Sequence, residues 1–232
     1  GYNAEESRLD ANYYDLLASE SRLATFIAIA QGQLPQKSWF ALSRLLTIME
    51  GKPILLSWSG SMFEYLMPLL VMPCYEHTLI SDTCKAAVEI QIAYGKKRRV
   101  PWGISECGYN AVDTLKNYQY KAFGVPGLGL KRNLADDLVI APYASMLALT
   151  VAPKEACVNL EKLTNAGFEG KYGYYEAVDY TPSHLPHGQY RAVIKSFMVH
   201  HQGMGLLALD GILSNQPMQK RFCADPAFQA TL

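Results

Sequence analysis

Three glutamates in this sequence sit among aromatic residues and glycines rather than on charged helical faces. They are Glu64 in SWSGSMFEYLMP, Glu106 in PWGISECGYN and Glu176 in GKYGYYEAVDYTP. Sugar rings offer C–H faces that pack on aromatic planes and hydroxyls that need hydrogen-bond partners. Cleavage of a glycosidic bond needs two carboxyl groups, one protonated to assist the leaving oxygen and one ionised to attack or to activate water. Two of the three glutamates could supply that pair. The competing reading is that each caps a helix or ties down a loop backbone. Tyr109, Tyr118, Tyr120, Tyr172, Tyr174, Tyr175, Tyr180 and Tyr190 crowd the same regions, as sugar-facing walls or as half-buried packing with the hydroxyl at the surface.

SFMVHHQGMGLLALDGIL places His200, His201 and Gln202 in an otherwise apolar helix. Neighbours on a helix project about 100° apart, so the two histidines do not share a metal. One reads as a core histidine, and the other, with Gln202, as a group facing a cleft. HLPH (184–187) has no acid or third ligand beside it, and no metal site is expected. GVPGLGLKRNL (124–134) lacks the Walker spacing, the full dinucleotide fingerprint and a preceding strand, and reads as a backbone turning sharply, against substrate. SWSGS lacks the glycines of a nucleophile elbow. KKRR (96–99) reads as a solvated loop after a helix C-terminus, where positive charge suits the dipole.

The elements that must position these groups are mainly helical. Apolar residues spaced by three, four and seven predict helices over 13–31 and 37–50, with further ones near 61–71, 76–94, 133–149, 153–166 and 190–213. Pro153 suits a first helical turn, and Gly95 and Gly167 suit helix ends. PILLSW (53–58) is the best strand candidate, but no alternation is sustained over several segments. Long loops rich in Gly, Pro and Tyr join the helices, and function usually resides in such loops.

Half of the 232 residues are hydrophobic, enough for one large domain spanning 1–232 with a real core. Lys+Arg and Asp+Glu both number 21, so no global field draws the chain to nucleic acid or anionic lipid; a neutral partner is expected. Five dispersed cysteines without CxxC spacing argue against a disulfide framework and for a reducing compartment. No signal peptide is legible, and the most apolar stretch, 61–73, is too short to span a bilayer and carries Glu64 and Pro68. The expectation is a piece of a longer protein that does not itself enter a membrane.

YYDLLASESRLATFIAIAQGQLPQKSWFALSR, SWSGSMFEYLMP, PWGISECGYN, YQYKAFGVPGLGLKR, VIAPYASMLAL, GYYEAVDYTP and SFMVHHQGMGLLAL occur in this order. Together they resemble the glycoamylase-like region of bacterial cyclic β-1,2-glucan synthases, from about residue 13 to the end. The resemblance implies an (α/α)6 toroid of helical hairpins, incomplete here because fewer helices are legible than a closed toroid needs. It also implies action on β-1,2-glucan, by retaining transglycosylation that closes linear chains into rings; endohydrolysis, a glucan-binding module and a structural spacer remain as alternatives.

Carried onto this sequence, Glu106 in GISE and Glu176 in YEA match the acid and the nucleophile or base. Glu64, Trp58, Trp102, Tyr109, Tyr120, Tyr175, Asp179, Tyr180, His200, His201 and Gln202 are the expected substrate contacts. No cofactor is expected in this chain. UDP-glucose would serve a separate transferase domain of a parent protein at the cytoplasmic side of the inner membrane, and the parent's other domains are the expected protein partners.

Overall fold

The computed structural model describes residues 2–11 and 13–232. A short hairpin, β1 (Tyr2–Asn3) and β2 (Arg8–Leu9), precedes helices α1 (Ser21–Ala30) and α2 (Lys37–Ala41). Strands β3 (Leu46–Met49) and β4 (Lys52–Leu55) form an antiparallel hairpin, followed by α3 (Met62–Leu66), a 3-10 turn (Met67–Leu70) and the long α4 (Leu79–Arg98). Next come β5 (Cys107–Val112), β6 (Tyr118–Lys121), β7 (Val139–Ile140), α5 (Pro142–Leu147) and α6 (Pro153–Asn165). Strands β8 (Glu169–Gly170), β9 (Gly173–Tyr174), β10 (Ala177–Asp179) and β11 (Ala192–Ile194) lead to α7 (Val199–Leu213), α8 (Pro217–Ala224) and α9 (Pro226–Gln229).

The helices that form have the expected chemistry at their ends. In α4 the Thr78 side chain accepts the Ser81 N–H, Asp82 lies in the first turn, and Lys96, Lys97 and Arg98 face the negative end of the dipole. The basic run is therefore mostly the helix's last turn, not a loop. Gly95 does not stop the helix: a Cβ there would lie 2.7 Å from the Cβ of Trp102, so glycine lets the next segment pass close by. Pro153 opens α6 as expected, and the chain leaves that helix through Gly167 at φ +81°.

Four predicted helices are shorter than their periodicity suggests, the one over 133–149 because β7 occupies Val139–Ile140 and α5 begins only at Pro142. Residues 13–20 turn instead, held by Ser19 Oγ donating to the Leu16 carbonyl and by Leu16 bridging Ser43. Residues 46–49 enter the β3–β4 hairpin, because Glu50 and Gly51, both at positive φ, make a two-residue turn of the type that closes hairpins. Residues 190–198 run through β11 before α7 begins at Val199. The long loops are thus built of small sheets: the hairpin β5–β6 packs against the three-stranded sheet β11–β10–β7.

One continuous apolar cluster unites α3, α4, α5, α6 and α7 through Met62, Leu66, Ala87, Leu147, Leu163 and Ala208. A small cluster around Phe26, Met72 and Phe222 joins α1 to α8. Among the described residues no helix is long and apolar enough to cross a membrane.

Candidate active site

Glu106 sits at the bend entering β5, and the segment before it is fixed from both sides. Gln91 of α4 donates to the Ile104 carbonyl and accepts its N–H, and Asn159 of α6 does the same for Trp102. Gly103, at φ +116°, lets the chain turn against Ser145, where a Cβ would stand 3.1 Å from the hydroxyl. The Tyr143 hydroxyl, from α5, lies 2.7 Å from Ser105 Oγ and 2.9 Å from the Glu106 carbonyl. Only the Glu106 side chain is left to reach outward.

It reaches an open cleft of about 380 Å³ that is also lined by Tyr14, Glu20, Trp58, Glu64 and Lys131. Glu20 directly precedes α1, and its Oε2 is buried with no hydrogen-bond partner among the described residues. Burial raises the Glu20 carboxyl above its usual range, and the negative charge of Glu64 adds to this. Glu106 is raised in the same way, first by burial and then by the charges of Glu20 and Glu64; His201 and a hydrogen bond from Tyr120 oppose the rise. The cleft therefore holds two poorly solvated carboxyl groups, each raised above its ordinary value by burial.

Glu64 borders this cleft but is fully engaged. Oε1 accepts the N–H groups of Trp58 (2.9 Å) and Ser59 (3.1 Å). Oε2 accepts the Ser57 hydroxyl (2.9 Å), the Ser61 hydroxyl (3.0 Å) and the Ser61 N–H (3.1 Å). With Ser61 it also closes a capping box on α3. Its role as a substrate contact is thereby corrected to that of a loop anchor. The glycine loop 124–129 serves the same anchored segment: added Cβ atoms at Gly124 and Gly129 would fall 1.8 Å from the Ser59 carbonyl oxygen and 2.4 Å from its carbon. These glycines accommodate the protein's own backbone, not a substrate.

Glu176 lies at the entry to β10, with its side chain wholly closed to solvent and absent from the lining of that cleft. One oxygen accepts the Gly108 N–H at 3.0 Å, and the other lies 3.0 Å from His201 Nδ1. Its expected role as the group that attacks the sugar is revised accordingly, because both oxygens are engaged inside the protein. His201, also buried, stacks on Tyr143 at 3.7 Å between ring centres and lies 3.2 Å from the Tyr120 hydroxyl. Tyr120 is half-exposed, and burial first, then the charge of Glu106, raises its hydroxyl above its ordinary range.

The other expected contacts separate. Trp58 remains on the cleft. Trp102 is buried in the core, so it is not a sugar-facing wall. Asp179 is buried and accepts the N–H groups of Asn110 and Thr181 while pairing with His184 Nδ1 at 2.8 Å, which makes it a loop anchor. Tyr109 packs on Phe123 and His184, and neither it nor Tyr180 lines the cleft. Tyr175 and Gln202 line a separate hollow beside α7, and His200 is exposed next to Tyr120. Glu20 was not singled out from sequence, and Lys131 figured there only within the rejected phosphate-loop candidate 124–134; the signal for Glu20 was the polar ASESR interruption of an otherwise apolar periodicity.

A helix-rich scaffold that fixes two carboxyl groups and an aromatic wall around an open cleft is the arrangement of a glycoamylase-type fold. The chain belongs to the Glycoamylase family, described as "Putative glucoamylase", whose model matches residues 12–226. It is 46% identical over 230 residues to the cyclic β-(1,2)-glucan synthase NdvB of Rhizobium meliloti (strain 1021), covering 99% of this chain and 8% of that protein. The fold is similar to that of an endo-β-1,2-glucanase from Chitinophaga pinensis solved with sophorotriose and glucose (TM-score 0.68, 16% identity, 95% of this chain and 53% of that one). A Bacteroides uniformis protein described in the same words as the family gives TM-score 0.68 at 15% identity, over 92% of this chain and 53% of that one. The chain thus spans about half the length of these solved relatives and a small part of the synthase.

Proposed function

We propose that this chain acts on β-1,2-glucan and, within a longer parent protein, closes linear glucan into rings by retaining transglycosylation. The observation that carries the reading is the pair of poorly solvated carboxyl groups, Glu20 and Glu106, on one open cleft beside Trp58. Glu106 gives its proton to the leaving glycosidic oxygen while the Glu20 carboxylate attacks the anomeric carbon, forming a glycosyl ester. The 2-hydroxyl at the chain's own nonreducing end then attacks that carbon, its proton passes to Glu106, and Glu20 leaves. Atoms and charge balance over the two steps, and Glu106 ends protonated as it began.

The fold likeness supports a helical toroid of the (α/α)6 kind to which residues 1–232 contribute one domain, with other parts of the parent completing the barrel. In this reading UDP-glucose belongs to a separate transferase domain, this chain needs no cofactor, and the parent works at the cytoplasmic side of the inner membrane. The test is incubation with linear β-1,2-glucan followed by mass spectrometry and anomeric NMR of the products. Cyclic products support the proposal; shorter linear products identify an endohydrolase. Saturable binding without turnover identifies a glucan-binding module, and no binding by a folded chain rejects glucan as ligand.

A further inference from the structure

Helix α7 turns toward water a face with the composition of a core. We infer that this face and the hollow beside it are the docking surface for a helix of the parent's own glycoamylase-type domain, from the portion that lies outside residues 1–232. The inference rests on the reading of the chain as part of a longer domain and is independent of its action on glucan.

The inner side of α7 meets the core through His201, Met204, Gly205 and Ala208. On the opposite side Val199 (87% exposed), Leu206 (67%) and Leu213 (74%) recur every seven residues, with Gln202 and Leu209 beside them. At about 100° per residue these side chains share a sector of about 80°, and at about 1.5 Å per residue they run along about 21 Å of helix. From Gln202 to Leu213 the only ionisable residue is Asp210, and its carboxylate accepts the Ser214 hydroxyl at the helix end. The outward faces of α4 and α6 differ: the first carries Asp82, Lys85 and Glu89, the second Lys154, Glu161 and Lys162. A helix that is apolar on all sides belongs in an interior, and a continuous exposed apolar patch marks a contact surface.

Two further features point to a helix as the occupant. Gly203, flanking the stripe, has no positive φ, and a Cβ there would meet nothing beyond its own turn of helix within 4 Å among the described residues. Glycine weakens a helix interior, so its place here fits a partner backbone that approaches closely. On the other flank Leu206 and Leu209 border a hollow of about 240 Å³, shared with Met146, Tyr174 and Tyr175. Side chains of a helix laid along α7 would seat there as ridges seat in grooves.

Length identifies the occupant. Two solved relatives match 95% and 92% of this chain, which spans only 53% of each, so nearly half of each has no counterpart in residues 1–232. A helix-rich fold grows by laying one helix on the apolar face of another, and α7, already packed on α5 by its inner side, offers the free face. The remaining portion of the parent's domain supplies that helix, without a second copy.

The test compares the parent protein with the present chain, Leu206→Cys being made in both and its reaction with a maleimide followed by peptide mass spectrometry. In the chain alone this thiol should react as an open one. In the parent it should react at least about a hundredfold more slowly, because labelling then awaits a local opening. Val158→Cys, half-exposed on the charged side of α6, should react alike in both. Equal labelling of Leu206→Cys in the two proteins overturns the proposal, as does equal slowing of both sites in the parent. Benzoylphenylalanine in place of Leu213 of the parent then identifies the occupant. A crosslink within one chain, to a peptide of the same domain outside residues 1–232, supports the proposal; a crosslink that doubles the mass, or one to the transferase domain, overturns it. Neither measurement uses glucan, so a parent inactive on glucan would refute the proposed function and leave this inference standing.

Discussion

Glu64→Gln separates an anchor from a sugar contact. Every oxygen position of Glu64 faces backbone donors that cannot rotate away: Trp58 and Ser59 N–H at Oε1, Ser59 and Ser61 N–H at Oε2. The serine hydroxyls can turn to accept from an amide; the N–H groups cannot. Whichever way the glutamine amide lies, its nitrogen confronts two buried N–H groups. Hydrogen bonds to charged groups contribute about 1.5–3 kcal/mol each, so losing one outright and weakening another destabilises the fold by about 3 kcal/mol. With a urea m-value of about 2–3 kcal/mol/M, the unfolding midpoint should fall by about 1–1.5 M with m unchanged. A midpoint within about 0.2 M of wild type, together with weakened glucan binding, would refute the anchor role and restore Glu64 as a substrate contact.

Further expectations follow from the same structure. Gly95→Ala places a methyl group 2.7 Å from Trp102 Cβ and should lower stability by about 1–3 kcal/mol in the same urea assay. Asn159→Ala leaves the buried Trp102 N–H without its partner and its carbonyl with only the 3.5 Å contact from Ser145 Oγ, for a loss of about 1–3 kcal/mol that a glucan titration should not mirror with a comparable loss per remaining folded molecule. Glu20 and Glu106 are raised above their ordinary value of 4.5, so the folded state binds more protons than the unfolded one above that pH. Their contribution to stability is greatest in acid and is lost as pH rises from the unfolded value through the folded one. Glu20→Gln and Glu106→Gln should therefore unfold at higher urea than wild type at pH 7, with a smaller gain at pH 4.

The long helices were legible because their signals agree at several levels. Helix α6 carries apolar periodicity, a proline in its first turn and a glycine beyond its end. Where signals conflicted, turn chemistry won: Leu42, Leu45, Leu46 and Met49 fit a helical spacing, but the left-handed Glu50–Gly51 pair closes a hairpin. Among the residues lining the cleft, Glu106 stood out in the sequence through its glycines and aromatic neighbours. Sequence could not tell which carboxyl groups are engaged inside the protein: Glu176 and Asp179 find donors 68 and 69 positions away, and Glu64 finds its own within seven residues, in a turn whose shape the residue types alone do not reveal. Glu20 was obscured by the helical periodicity around it, since only the tertiary fold carries the start of α1 to the cleft. The contacts from Glu176 through His201 to Tyr120 join residues far apart in sequence and have no local pattern.

The central claim is that Glu20, and not Glu176, attacks the sugar across from Glu106. Azide rescue tests it most directly: Glu20→Ala incubated with linear β-1,2-glucan should be inactive, and added azide should restore turnover with an α-glucosyl azide as product. Undiminished turnover by Glu20→Ala, or rescue by azide of Glu176→Ala in its place, would contradict the account.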